Sequence, residues 1–399
     1  MKKILLVSAV FPPEMVTSAL MNYDLAVELA KEYDVTVLRP FPTRPLGVKF
    51  DSTDVENDSF KTILINSYTH PQSEFFGRFR ESNDFGNKSV EYIENHHNDI
   101  DFIYNDGWQL FSLYKVVKVA KKYGIPYMVP IQDIYPECLF TNKKFPKIVS
   151  SIITRLLLSV DKFYLKNATS VRTISKEMAD YLSSTRKINR DKFLVVNNWQ
   201  NDEDFLIDYP KRKNDGRIIF GYVGSINSHA NVELIIKAFS KANIENSELR
   251  IYGGGNKKDS CLDLVKSLGS SNIKLDMVSR KDVAYVQSQV DVLILALPAG
   301  NGNLCLPSKM TSYMLSGKAI LASVDSDSAT ARYIRDAKCG LSVAPDDIET
   351  LKDGFSSFSR MSKSVIEKLG ENALSYSTKH LKRSVCITAV INEIKHIIK

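Results

Sequence analysis

Cysteine is scarce and irregular: five in 399 residues, at 138, 261, 305, 339 and 386. An odd number with no metal-ligand spacing fits a reducing cytoplasm better than a disulfide framework. The six histidines form no HExxH pattern, so a protein-held metal is not expected. No uninterrupted apolar run reaches the ~20 residues a spanning helix needs. Internal repeats and low-complexity tracts are absent. The remaining composition, 44% hydrophobic and 25% charged, is that of an ordinary soluble enzyme.

Charge is present but unevenly placed. The net charge is +7, and the segment from Lys143 to Lys192 alone carries 12 Lys or Arg against 4 Asp or Glu. A localised basic surface fits an anionic partner. The chain length makes two domains the natural expectation.

Met1-Lys2-Lys3 followed by Ile4 to Val10 imitates a leader peptide, but the apolar run is short and stops at Phe11-Pro12-Pro13-Glu14. It reads as a first buried strand. Short β-like runs then alternate with amphipathic helices: strands near 35–38, 63–65, 102–104, 127–131 and 170–174, with helices near 17–31, 86–98, 108–123, 146–166 and 175–184. The polar stretch from Asn197 to Arg217 breaks the rhythm and reads as a linker. Alternation restarts with strands near 218–222, 248–251, 272–275, 291–296 and 319–324 and helices near 232–241, 257–268, 281–287 and 307–316. The predicted fold is α/β, with two Rossmann-like doubly wound domains facing a central cleft. The expected division is 1–200, 201–375 and a C-terminal helix, 376–399, packing back on the first domain.

The most informative stretch is Pro307-Ser308-Lys309-Met310 through Gly317-Lys318-Ala319-Ile320, between two apolar strands. Pro307 suits a helix start, where its missing N–H is no loss. A helix N-terminus after a strand offers free N–H groups and positive potential, so it can hold phosphate. Ser308 and Lys309 add a hydroxyl and a cation at that end. The pattern points to a nucleotide diphosphate.

Further pieces are Phe11-Pro12-Pro13-Glu14, Gln132-Asp133-Ile134-Tyr135-Pro136-Glu137, Val196-Asn197-Asn198-Trp199, Gly221-Tyr222-Val223-Gly224, Tyr252-Gly253-Gly254-Gly255 and Ala337-Lys338-Cys339-Gly340-Leu341. In this order and spacing the chain resembles a GT-B glycosyltransferase of the retaining family 4, of the bacterial O-antigen, capsule and exopolysaccharide type. The resemblance implies a hexosyl- or N-acetylhexosaminyl-type transferase with a UDP-linked donor sugar and a polyprenyl-diphosphate-linked glycan acceptor. It implies no metal and no other cofactor, and a cytoplasmic enzyme with peripheral contact to the inner face of the cell membrane. No nucleic acid is expected as a partner.

The resemblance also has departures. The family places two glutamates eight positions apart; Leu304 and Ser312 stand there in this chain. The second glutamate usually grips the donor ribose, and a serine offers only a hydroxyl. The arginine and lysine usual after the first loop of the second domain are replaced by Ser225 and, in looser register, His229. Thr17 and Ser18 stand near the place of the usual Gly-Gly pair.

The donor-binding candidates are Gly224, Ser225, Gly254, Gly255, Met277, Leu306, Pro307, Ser308, Lys309 and Ser312. Lys309 is also the catalytic cation, stabilising charge that builds on the departing diphosphate. Asp133, Glu137 and Asp106 are candidate bases for the acceptor hydroxyl; the competing readings are a helix cap for Asp133 and an ordinary turn for Asp106. Glu14, Thr17 and Ser18 are acceptor-binding candidates. Asp325-Ser326-Asp327 reads as a polar loop rather than a metal site. The basic, apolar segment 143–166 reads either as a core helix with solvated lysines or as a helix lying on an anionic membrane. Two other functions stay open: a sugar-nucleotide 2-epimerase-like isomerase, and a non-catalytic partner of a glycan or another transferase.

Overall fold

The computed structural model describes residues 1–44, 46–50, 57–70, 72, 74–140, 147–210, 212, 213, 215–300 and 306–399, leaving the side chains of 75, 139, 140 and 147–150 aside. Leu304, Cys305 and Lys143 to Pro146 therefore lie outside the described residues. The chain divides into two compact units, Met1–Gln200 with Cys386–Lys399, and Asn201–Val385.

The first unit holds strands β1 (Lys3–Ser8), β2 (Asp34–Pro40), β3 (Lys61–Ile65), β4 (Phe102–Asp106), β5 (Tyr127–Ile131), β6 (Ser170–Thr173) and β7 (Phe193–Val195). All pair in parallel, in the order β3-β2-β1-β4-β5-β6-β7. The second unit holds β8 (Ile218–Val223), β9 (Ser247–Tyr252), β10 (Ile273–Asp276), β11 (Val292–Ala296), β12 (Ala319–Ser323) and β13 (Gly340–Val343), ordered β10-β9-β8-β11-β12-β13. Parallel strands covered by helices on both faces must be apolar throughout rather than alternating. Accordingly every residue of β5, β11 and β12 is buried. In both sheets the order reverses beside the first strand, between β1 and β4 and between β8 and β11. Ligands of such sheets bind beyond the strand carboxyl ends at that reversal.

Several sequence expectations need adjustment. The helix placed at 86–98 runs from Phe75 to His96. Its polar composition and two interior glycines hid the first turns. Gly77 is needed there, because a Cβ would come 2.2 Å from the His70 ring. The short outermost strands β7 and β13, and the helices Ala329–Ala337 and Ile348–Ser359, had no counterpart in the sequence reading. Both helices are fixed by caps: Ser328 Oγ accepts from Ala331 N–H, and Asp347 Oδ1 accepts from Glu349 and Thr350 N–H.

The return helix expected over 376–399 is two helices, Lys363–His380 and Arg383–Ile397. Only the part from Cys386 onward joins the first unit. There Cys386, Ile387, Val390 and Ile394 complete the core around Leu25, Leu29 and Val35. Among the described residues no helix is long and apolar enough to cross a membrane.

Candidate active site

In the second unit, the helix Ser308–Leu315 lies within the crossover from β11 to β12, with Pro307 as its cap residue and Met310 N–H donating to the Pro307 carbonyl. The helix is fastened to β8 by Tyr313. Its buried hydroxyl accepts from Val223 N–H at 2.9 Å and donates to Val223 O at 3.1 Å. Met310, Tyr313 and Met314 face the core, and Ser308 faces solvent. This anchoring aims Lys309, one turn earlier, across the end of β8.

Lys309 lies in the crook of Gly224. A Cβ on Gly224, whose φ is +148°, would sit 2.0 Å from Lys309 Cε. The Lys309 ammonium stands 5.5 Å from the centre of the Tyr222 ring and has no carboxylate partner among the described residues. Burial lowers its pKa below the usual lysine value, because the charged form is poorly solvated there. An unpaired, partly desolvated cation beside a helix N-terminus is a site for an anion.

Neighbouring turns close around it. Gly224 N–H donates to Tyr252 O, Gly253 N–H to Asp276 O and Ile226 N–H to Gly254 O, so the strand ends continue as a backbone ladder. Gly253 permits this closeness: a Cβ there would lie 2.0 Å from Gly224 O. Gly255 is similarly tight against Ile226 O. Ser225 is exposed, and its carbonyl accepts from the Tyr222 hydroxyl. Met277 is 65% exposed beyond β10, with its methyl group against Gly254. Leu306 and Pro307 are half-buried at the entry to the helix. Gly224, Ser225, Gly254, Gly255, Met277 and Leu306 to Lys309 thus share one end of this unit's sheet.

Ser312 is brought less close to that end. It is buried; its hydroxyl donates to Lys309 O at 2.9 Å and accepts from Gln287 Nε2 at 3.4 Å. Gln287 in turn accepts from the Ser316 hydroxyl. Asp325 belongs to a loop clamp, its carboxylate accepting from Gly300 N–H at 2.9 Å. Asp346 does the same for Ala299 N–H at 2.8 Å.

In the first unit, Asp106 ends β4 beside Ser8 at the end of β1. Asn22, on the helix Thr17–Leu29, donates to both, at 2.7 Å to Asp106 Oδ2 and 2.8 Å to Ser8 Oγ. Burial pushes the Asp106 carboxyl up to about 6, against the stabilising hydrogen bond from Asn22 and the charge of Arg172. Asp133 lies two residues past β5, with part of its surface exposed but its carboxyl crowded by protein, and with no hydrogen bond or ion pair among the described residues. The protein packed around it raises its pKa, with the Arg78 charge opposing. Thr17 and Ser18 form the first helical turn beyond β1.

Two candidates hold other positions than expected. Glu14 is 2% exposed rather than open, and its Oε1 accepts from Thr43 and Arg44 N–H at 2.7 and 2.8 Å. It fixes a loop. Glu137 is bound to Arg186 by contacts of 2.6 and 2.8 Å and accepts from the Tyr181 hydroxyl. Arg186 also bridges to buried Asp161 at 2.7 Å. Burial alone would raise the Glu137 pKa, but the arginine and tyrosine hydrogen bonds hold it below the usual value. A carboxylate held so firmly in its charged form is a poor proton acceptor.

The sequence reading missed Tyr313, Asn22 and Gln287. Tyr313 follows Lys309 by one turn, and that spacing is its one signal. The other two act through pairings that only the fold creates. It also missed strain: buried Leu110, after β4, has φ +68° and ψ −93°. Beside it the Asn105 amide and Trp108 Nε1 are buried without a hydrogen-bond partner among the described residues. Such departures collect at functional sites.

Residues 206–375, all in the second unit, match the family model described as Glycosyl transferases group 1. With the two Rossmann-like units, this match supports a GT-B glycosyltransferase. A curated relative is the probable glycosyltransferase WbjE of Pseudomonas aeruginosa, 24% identical over 239 residues. The aligned part covers 56% of this chain and 57% of that protein. Among solved structures, sucrose-phosphate synthase from Thermosynechococcus elongatus superposes with a TM-score of 0.74 at 15% identity, covering 100% of this chain and 99% of that one. Anabaena Alr3699/HepE in complex with UDP superposes at 0.69 with 13% identity, covering 99% of this chain and 100% of that one.

Proposed function

We propose that this protein transfers a hexosyl or N-acetylhexosaminyl unit from a UDP-linked sugar to a polyprenyl-diphosphate-linked glycan, with retention of anomeric configuration, in the building of a surface polysaccharide. The observation that carries the reading is the Lys309 ammonium, without a carboxylate partner among the described residues, in the crook of Gly224 at a helix N-terminus. The group 1 match over the same unit and the UDP complex of HepE support it. The acceptor class and the retaining outcome follow from the resemblance to the bacterial enzymes.

In this reading the second unit holds the nucleotide diphosphate. As the bond between the sugar anomeric carbon and the diphosphate oxygen breaks, negative charge grows on the leaving oxygen. Lys309 and the first N–H groups of its helix meet that charge more strongly in the transition state than in the ground state. The acceptor oxygen forms the new bond to the same carbon. Its proton goes to the leaving diphosphate or to Asp133 or Asp106, two carboxylates of the first unit whose pKa values are raised. Glu137 takes no part. No metal or other cofactor enters the scheme.

Thermal melting with UDP, GDP, CDP and ADP tests the nucleotide assignment, since a ligand of the folded state raises the melting temperature. A shift with UDP, lost in Lys309→Ala, is expected. No shift with any of the four would refute the reading.

A further inference from the structure

We propose that Asp346, with Asp325 beside it, is a positioning residue of the donor end. Its carboxylate ties together the two chain segments that carry Gly224 and Lys309. The inference rests on the nucleotide reading of that end.

Asp346 stands three residues beyond β13, and Asp325 two beyond β12. Backbone pairing that continues past the strands holds both in place. Leu297 N–H donates to Ser323 O, Val324 N–H to Val343 O and the Ser323 hydroxyl to Ala344 O, each at 3.0 Å. From there the two carboxylates take neighbouring amides of one turn. Asp346 Oδ2 accepts from Ala299 N–H at 2.8 Å, and Asp325 Oδ2 from Gly300 N–H at 2.9 Å. This turn opens the crossover that leads from β11 to Lys309. The other oxygen of Asp346 accepts from Asn231 Nδ2 at 2.7 Å. Asn231 closes the segment that starts at Gly224, the glycine against which Lys309 lies. The two segments are therefore joined twice, once where Lys309 meets Gly224 and once where Asn231 and Ala299 share Asp346.

The junction is strained, which argues against an incidental contact. Asp346 has φ +55° and Asn231 φ +45°, left-handed conformations that few residues other than glycine adopt. Such residues persist where their surroundings hold them, and they collect at functional sites. Asn231 also gives up its usual use. Asparagine ordinarily caps a helix by accepting from its first N–H groups, yet the helix Val232–Ala242 starts with no side-chain cap. Its amide nitrogen is directed to Asp346 instead. The next aspartate, Asp347, caps its own helix in the ordinary way, so one of the pair serves the helix ahead and the other reaches back.

Charge alone makes the opposite prediction. An anion at the end of the sheet that is to receive a diphosphate repels it, so removing that anion should tighten binding. If Asp346 acts by position, loss of its hydrogen bonds should weaken binding in spite of that relief. Asparagine separates the two effects. Its Oδ1 can accept from Ala299 N–H, and its Nδ2 can donate to Asn231 once the Asn231 amide turns its oxygen round. The bonds then survive without the charge.

The test is calorimetric titration of the full chain with UDP, which wild type is expected to bind. Asp346→Ala should bind about tenfold more weakly, the scale of one lost hydrogen bond to a charged group. Asp346→Asn should match wild type or bind more tightly. Asn231→Ala should weaken UDP less, and in the Asp346→Ala background it should add nothing, because the tie is already cut. Amide exchange of the unliganded proteins gives a second reading. The peptide containing Ala299 and Gly300 should exchange faster in Asp346→Ala than in wild type, while β8 and β11 keep their protection. Equal or tighter UDP binding by Asp346→Ala, an equal loss in Asp346→Asn, additive losses with Asn231→Ala, or unchanged exchange would overturn the proposal. Wild type that binds no UDP would sink the donor assignment and the proposal with it, whereas binding by wild type and Asp346→Ala alike sinks the proposal alone. Should Asp346→Ala melt early, Asn231→Ala carries the test: it cuts the tie from the other side and removes no charge, and unchanged UDP affinity there would overturn the proposal.

Discussion

Replacing Gly224 by alanine tests the geometry on which the proposed donor site depends. The backbone there has φ +148°, and the new Cβ would stand 2.0 Å from Lys309 Cε and 3.1 Å from Nζ. Cβ contacts under 3.0 Å are essentially never seen, so the lysine stem must withdraw by about 1 Å (3.0 less 2.0) or the turn must shift. Two losses follow. The strained backbone costs about 1–3 kcal/mol of stability, which in a unit of this size lowers the melting temperature by roughly 2–10 °C. The displaced ammonium should weaken UDP binding about tenfold, or about 1.4 kcal/mol. A double-mutant cycle with Lys309→Ala separates them. In the Lys309→Ala background the steric conflict is gone, so Gly224→Ala should lower the melting temperature but add little to the loss of UDP affinity. Calorimetric titration with UDP and melting curves of the four proteins give both readings. If Gly224→Ala weakens UDP equally in both backgrounds, the idea that Gly224 acts by making room for Lys309 is wrong.

Lys309→Met should melt higher than wild type without ligand, because it removes a desolvated, unpaired cation, yet should show no stabilisation by UDP; unchanged UDP stabilisation would sink the assignment. The depressed Lys309 pKa means that wild-type stability rises as alkaline pH neutralises the group, and the methionine variant should lack that rise. Asp106→Asn is worked from a raised carboxyl: its contribution is full below about 4 and is lost as pH rises through about 6. The variant should therefore gain on wild type between those pH values, by up to about 3 kcal/mol, and parallel stability curves would refute the shift. Glu137→Gln breaks a charged tie to Arg186 and should lower stability by about 1–3 kcal/mol while leaving the turnover of folded enzyme within about threefold. A hundredfold loss of turnover at full folding would restore Glu137 as a base.

How far the sequence led depends on what kind of interaction decides each feature. The buried parallel strands β1, β5, β11 and β12 write themselves as continuous apolar runs, so the doubly wound plan was legible. The edge strands β7 and β13 were not: each is three or four residues long and partly exposed, and neighbours rather than composition make them strands. At the donor end, Lys309 and Gly224 stood out separately, through position and residue type. Their contact arises because Tyr313 ties the helix to β8, a pairing across 90 residues. Glu14 and Glu137 looked like free carboxylates because nothing local reveals the Thr43–Arg44 loop or the distant Arg186 that occupy them.

Ser312 shows why a departure from a family pattern has to be read with its surroundings. In the helix Ser308–Leu315 the one charged residue is Lys309. A glutamate at 312 would sit three residues on, within reach of an ion pair with that lysine. It would offer the ribose a strong acceptor while drawing off part of the positive field. Here Ser312, Gln287 and Ser316 form a neutral hydrogen-bonded set turned toward the helix Val283–Ser288. The field of Lys309 and the helix terminus is left undivided for the diphosphate of the proposed donor. On the proposed reading, binding energy would shift from the sugar hydroxyls to the phosphates, which is where charge grows during transfer. Loss of the glutamate is therefore compatible with catalysis, provided that the ribose is positioned by other contacts, and the exposed Met277 beside Gly254 stands at the same end of the sheet to supply one.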